Sequence, residues 1–311
     1  PCSSAASDVY KRQIYMLLSL TKKDQFLNIF YIVLTHITLA LWFVFGYKFF
    51  NFSTSVLFSV ILCSIHQHFL SEWLHEATHW NLLKNKFYND IIANFLIGIP
   101  FGISVNIQRP NHFAHHKVDI FLNHEDIESS NYIIKKKQQL LENILFSLIG
   151  LTALNYFFKN MKGSGKSIQF KSGKKSFFLG KNWLKILLIF HVPFFLFLLI
   201  NNYAYSYIIY YITLITIYPL FAMMRYWGQH AEVTGKGIAN AWDANCSRTN
   251  YGGILEFLFF NSPIMKFHNE HHKYPNLPFR SLKKIAKKSN DLNKNGKGCI
   301  NIAFMVWNGL A

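Results

Sequence analysis

The chain is poor in cysteine and in acid. Its four cysteines, Cys2, Cys63, Cys246 and Cys299, form no CxxC pair, so nothing signals a disulfide framework, a thiolate zinc site or an iron–sulfur cluster, and a reducing cytosolic setting fits. Aspartate and glutamate number 15 against 32 lysines and arginines. No Gly-rich flavin or nicotinamide fingerprint and no haem-binding cytochrome domain is present, so the chain carries no redox cofactor domain of those kinds. No repeat recurs at a fixed period, and no second, soluble domain separates from the rest.

What is abundant is apolar. Of 311 residues, 51% are hydrophobic and 17% aromatic, with 31 phenylalanines and a mean hydropathy of +0.15, which is ordinary for a polytopic membrane protein. The net charge of +17 sits in loops flanking the apolar segments rather than in one basic domain, so anionic lipid heads are the expected partners and nucleic acid is not. Residues 1–13 are set aside, because Asp8–Gln13 reads as the translation of a sequencing adapter. Residues 14–282 then form one membrane domain and 283–311 a basic, flexible tail, solvated over Lys283–Lys297, while Cys299–Ala311 gives no reading.

Length and polarity select the crossings. Phe26–Phe45 and Ser53–Leu74 are long enough for a hydrocarbon layer of about 30 Å, as are Trp183–Ile200 and Ala204–Met224, with Asn201-Asn202 as the turn between the last two. Tyr88–Val105 is broken by Asn94, Gly98, Pro100 and Gly102 and suits a membrane-surface or re-entrant segment. Leu140–Phe158 is also apolar, yet the following loop, Lys159–Lys181, carries seven lysines and belongs on the cytosolic side. If groups on both sides of this region are to meet on one membrane face, the number of crossings between them must be even. Leu140–Phe158 is therefore placed at the interface. The expected fold is an all-α integral membrane protein with two transmembrane hairpins (four crossings), interfacial helices and a histidine-rich helical cap on the cytosolic face.

Three histidine clusters stand at the ends of these segments: His75-Glu-Ala-Thr-His79, His112-Phe-Ala-His115-His116 and His268-Asn-Glu-His271-His272. On a helix, positions i, i+3 and i+4 share one face, so each cluster aims its imidazoles at one point. Eight imidazoles exceed what one ion takes from protein, so two ions are expected, and iron, zinc, copper and nickel all suit the donor. A single such histidine would by default be a packed core residue; the joint pattern favours metal.

In order, spacing and placement, these clusters resemble the histidine boxes of the membrane fatty acid desaturase superfamily. Glu72–Asn81, Asn111–Asp126 and Arg225–Arg280 carry the likeness, including Phe267-His-Asn-Glu-His-His-Lys-Tyr-Pro-Asn-Leu-Pro278. The resemblance implies two non-haem irons held by His75, His79, His112, His115, His116, His268, His271 and His272. His230, just after the last membrane segment, matches a ninth ligand. Relatives can add an asparagine or water one turn earlier; this chain has Tyr226 there, with Gln229 as a substitute. Glu72, Glu76, Asp126, Glu232, Asn269 and Glu270, with Asp243, are expected to accept from the ligands' remaining ring N–H groups.

Removing hydrogen from an unactivated methylene needs a stronger oxidant than any side chain, hence metal and dioxygen. The implied reaction is O2-dependent desaturation of a fatty acyl chain on a lipid or acyl carrier. The same centre also permits a hydroxylase or ketolase of a lipid, alkane or carotenoid. A non-enzymatic metal transporter is the alternative of another class, disfavoured because the clusters lie at segment ends rather than at the bilayer midplane. A separate ferredoxin or cytochrome b5-like donor is implied, and Lys273, Lys283, Lys284, Lys287 and Lys288 suit either lipid heads or that donor, lipid heads being favoured. His36, His66 and His191 read as structural, as does His68, which shares a stripe with the first box; His124 reads as exposed or as a neighbour of the ligands. The aromatic run Tyr203–Tyr211 suits an interfacial belt. Trp42, Phe45, Trp73 and Trp80 line an acyl tunnel or face lipid.

Overall fold

The computed structural model describes residues 20–117, 134, 136–162, 178–230, 233–234, 237–238, 247–288 and 298–309. Among these, every regular element is a helix except an antiparallel ribbon of Val233–Thr234 with Gly237–Ile238. Four helices are long and apolar enough to cross a membrane: Lys22–Phe49, Phe52–Thr78, Gly180–Ile200 and Ala204–His230. They coincide with the four crossings expected from hydropathy. Their outward residues are large and apolar, with Leu188, Ile189 and Ile200 at 63%, 68% and 80% exposure, as a helix facing hydrocarbon requires.

Local chemistry sets the ends. The first span begins at a capping box in which Thr21 accepts from the Asp24 amide at 3.1 Å and Asp24 accepts from Thr21. The second begins at Asn51, whose side chain accepts from the Thr54 amide at 2.9 Å, so only Phe50 and Asn51 separate the two helices. The second span ends at Thr78, and Trp80 follows in the left-handed region with φ 56, turning the chain back toward the bundle.

Two further apolar segments bend where glycine permits. Lys86–Phe101 meets Val105–His115 at 90° around Gly102, whose φ is 83. Lys137–Leu148 meets Leu151–Met161 at 84° around Gly150, with φ 81. Each arm of the second pair has 12 residues or fewer, so it rises no more than about 18 Å and falls short of a bilayer.

The fourth span runs past Met224 to His230, breaking only at Ile217 ahead of Pro219, and this extension places His230 on the helix end. The chain's end, expected as a basic, flexible tail, carries helices. Phe279–Lys288 and Cys299–Gly309 are helices. In the latter, Cys299, Ile302 and Val306 recur at helical spacing and are buried, Ile302 and Val306 clustering with Met223, Tyr226 and Trp227 of the fourth span and Cys299 lying against Gly228. Residues 1–13 lie outside the described residues.

Gly228 lies where this terminal helix crosses the fourth span, and a Cβ there would collide with Cys299. Gly228→Val is expected to cost about 1–3 kcal/mol by overpacking, read as a lower thermal midpoint of the full chain in detergent. An unchanged midpoint would mean that the terminal helix does not dock there.

Candidate metal centre

The second span carries His75 one turn from its end and His79 just past it. His112 and His115 occupy the last turn of Val105–His115, with His116 following, and His230 is the last residue of Tyr218–His230. The short helix His268–Lys273 supplies His268, His271 and His272. Three helix C-termini therefore meet here, and their carbonyl ends bring partial negative charge that favours a cation.

The nine histidines form two groups, His75, His79, His112, His116 and His271 in one, His115, His230, His268 and His272 in the other, with one nitrogen from each member within 4.8 Å of the rest. Within the first group, His116 Nε2 lies 3.0 Å from His112 Nε2 and 3.1 Å from His271 Nε2. In the second, His230 Nε2 is 3.1 Å from His115 Nε2 and 2.9 Å from His268 Nε2, which is 3.1 Å from His272 Nε2. Nitrogens bound about 2.1 Å from one ion at right angles stand about 3.0 Å apart, which is this spacing. The groups are neighbours, for the His116 and His272 rings are 4.4 Å apart between centroids.

Burial sharpens the case for metal. Both ring nitrogens of His75 and of His79, and Nδ1 of His116, His268 and His271, are buried without a hydrogen-bond partner among the described residues. Unpartnered buried acceptors are costly, and an ion would satisfy one nitrogen each of His75 and His79; in His116, His268 and His271 the converging nitrogen is Nε2, and Nδ1 carries the proton. Burial first, then the neighbouring imidazoles, hold His79, His116, His268, His271 and His272 well below the ordinary imidazole pKa, so they stay neutral and able to ligate.

The acids expected beside the ligands have other partners. Glu72 accepts from the backbone N–H of Ser262 at 3.1 Å and from its hydroxyl, and lies 3.4 Å from His68. Glu76 accepts from the Phe279 amide at 3.2 Å, Glu270 from the Thr249 hydroxyl at 2.5 Å, and Asn269 from the Ser247 hydroxyl at 3.3 Å. The bonds of Glu72 and Glu76 brace the segments around the third box to the second span, and those of Glu270 and Asn269 tie the box itself to Thr249 and Ser247. His68 thus supports a brace and stands outside both metal groups. Asp126, Glu232, Asp243 and His124 lie outside the described residues. Gln229 donates to Asn261 at 3.2 Å, and the Tyr226 ring stacks 4.9 Å from that of His230.

No local sequence pattern signals the Arg109–Asp90 pair. Arg109 donates from Nε to Thr78 O at 2.8 Å and from Nη2 to Ala77 O at 3.2 Å, tying down the helix end between His75 and His79. Its guanidinium also grips both Asp90 oxygens, at 2.8 and 2.5 Å, and lies 4.1 Å from the Trp80 ring, with Lys86 4.2 Å from that ring. Trp80 is thus held between two cations. Trp73 packs on Phe279 and Trp42 donates to Ser59 at 2.8 Å. Phe45 is 47% exposed. None of these four aromatics lines the cavity that reaches the histidines.

A helical membrane protein with two adjoining all-histidine pockets is the class that fold and site define. Its sequence matches the family model described as fatty acid desaturase over residues 51–299, and the chain belongs to that family. No solved structure matches it significantly.

Two outcomes follow. Because the histidines' folded pKa values lie below the ordinary 6.5, the unfolded chain binds more protons beneath that value, and stability is lost as pH falls. The metal-free protein's thermal midpoint should therefore drop steeply from pH 7 to 5; a flat profile would contradict buried neutral imidazoles. Arg109→Ala should cost about 2–4 kcal/mol and weaken metal retention about 10–100-fold, measured by melting and chelator competition.

Proposed function

We propose that the chain is a membrane-bound oxidoreductase that uses dioxygen and a pair of non-haem irons to place a double bond in a fatty acyl chain on a lipid or acyl carrier. One observation carries this reading. A cavity of about 360 Å³ is lined by His75, His112, His230 and His268, members of both metal groups, and by the apolar Phe157, Leu214 and Ile215. Such a lining suits an apolar chain laid beside two ions, and membership of the fatty acid desaturase family supports it.

The nine histidines would hold the irons, which when bound supply the oxidising power that side chains lack. The protein's own residues do the positioning. Bent at Gly150, the arms Lys137–Leu148 and Leu151–Met161 bring Leu154, Tyr156 and Phe157 over the cavity, where they hold the acyl chain and keep water away. Tyr156 donates to Gln108 at 3.2 Å and Arg225 donates to Ser71 at 2.8 Å, so the polar groups at the cavity wall are occupied with each other rather than with an acyl methylene. Because the cavity fixes which carbons face the ions, it sets the position of the double bond.

With the first box at the end of the second span and His230 at the end of the fourth, two hairpins put both on one face, which we assign to the cytosol. Electrons come from a separate ferredoxin or cytochrome b5-like donor. The exposed Lys273, Lys283 and Lys284 offer it, or anionic lipid heads, a basic surface; the side chains of Lys287 and Lys288 lie outside the described residues.

Expression in a host supplied with saturated acyl chains, followed by mass spectrometry of total lipids, tests this. A new double bond without retained oxygen is expected, lost to background with His271→Ala. Oxygenated product would assign hydroxylase or ketolase chemistry instead, and unchanged lipids with a metal-loaded protein would count against both.

A further inference from the structure

Two cavities meet at one side chain. The first, with the metal-group histidines in its lining, follows the fourth span, where Tyr211, Ile215, Tyr218, Ala222, Tyr226 and His230 line it at helical spacing. Tyr211 therefore stands about 28 Å of helix away from His230, at the end of the stripe remote from the metal groups. Past Tyr211 the stripe continues into a second cavity of about 640 Å³, to which the fourth span gives Tyr207 and Tyr203. On the second span the first cavity uses Ser71, Leu74 and His75, while the second uses His66, again further from the box. The cavities thus follow one another along the bundle, and Tyr211 lines both.

The ring is fastened across the boundary. From the fourth span the Tyr211 hydroxyl reaches the bent segment Lys86–Phe101 and donates to Pro100 O at 3.2 Å. Pro100 lines the second cavity and its neighbour Phe101 the first, so the bond crosses where the two meet. That carbonyl is open to a side chain because the helix ends at Phe101 and the chain turns away at Gly102. His191 Nε2 lies 3.1 Å from Ile99 O; a carbonyl only accepts, so this nitrogen carries the proton and Nδ1 is left as an acceptor, 3.4 Å from the same hydroxyl. The hydroxyl thus faces one acceptor from the bent segment and one from the third span, while its ring packs 4.5 Å from that of Tyr207. Swinging the ring aside for an apolar chain would leave these groups unpaired, since a methylene replaces none of the bonds.

Resting on the acyl reading of the first cavity given above, we propose that Tyr211 closes that cavity against the second and so sets the longest acyl chain it takes. A chain that outgrows the first cavity meets the ring. Without the ring it runs on into the second.

Competition on the purified full chain tests this without turnover. A methyl palmitate analogue with a mid-chain diazirine is photolysed with the protein, label at Phe157 and Leu214 is quantified by mass spectrometry, and saturated methyl esters of increasing length compete. Wild type is expected to show a cutoff, a length beyond which competition falls. Tyr211→Ala, and Tyr211→Leu, which keeps apolar bulk but cannot reach Pro100, should improve competition by the first excluded ester about tenfold or more, the worth of a methylene admitted to an apolar pocket. Phe194→Ala, which enlarges only the second cavity, should leave the cutoff in place. No label in the first cavity, no cutoff in wild type, an unmoved cutoff in both Tyr211 variants, or the same shift in Phe194→Ala would overturn the inference. A cutoff that moves as expected, with no oxidised lipid in the host, would count against the reaction and leave the role of Tyr211 standing.

Discussion

Nine imidazoles held out of water, with their nitrogens converging in two adjoining groups, are the constraint around which the molecule is arranged. Without an ion, the lone pairs face one another at about hydrogen-bond distance and several ring nitrogens have no partner among the described residues. Protonation would relieve the lack of donors but places charge where burial and like neighbours oppose it. Metal resolves both, because it needs neutral nitrogens and satisfies several at once. The same burial that makes the apo site unfavourable therefore makes it a strong ligand set.

The frame exists to hold that convergence. Three helices end at the site, so its donors are placed by rigid elements, and an ion held there would sit at the negative ends of backbone dipoles. Arg109 ties the first box's helix end to Asp90, while Glu72 and Glu76 tie the second span to the chain around the third box through Ser262 and Phe279. Acids near metal-binding histidines often orient the rings themselves. Here, among the described residues, they orient the backbone that carries the rings, a different way of fixing the same geometry.

Much of this was legible in the sequence because it rests on local periodicity. The four crossings followed from run length, and the box histidines shared a helix face by spacing alone. His230 came from the resemblance to the desaturase family, which implies a ninth imidazole just after the last span. Placing Leu140–Phe158 at the interface rested on parity and a lysine-rich loop, and this segment bends by 84° at Gly150. What stayed hidden depends on distant partners: no local pattern pairs Arg109 with Asp90 or Glu72 with Ser262. The tryptophans near the first box suggested a tunnel by size, but the apolar cavity is built by Leu154, Phe157, Leu214 and Ile215 from other elements. The terminal helix was unreadable in the sequence, because the partners of its apolar stripe lie in the distant fourth span.

The central claim is a pair of ions held by imidazole nitrogen. X-ray absorption at the iron edge on the iron-loaded full chain, with metal content determined on the same sample, tests it most directly. The account predicts two irons per chain and a first shell dominated by imidazole nitrogen at about 2.1 Å. A single iron per chain, or a shell built mainly from sulfur or from oxygen, would contradict it.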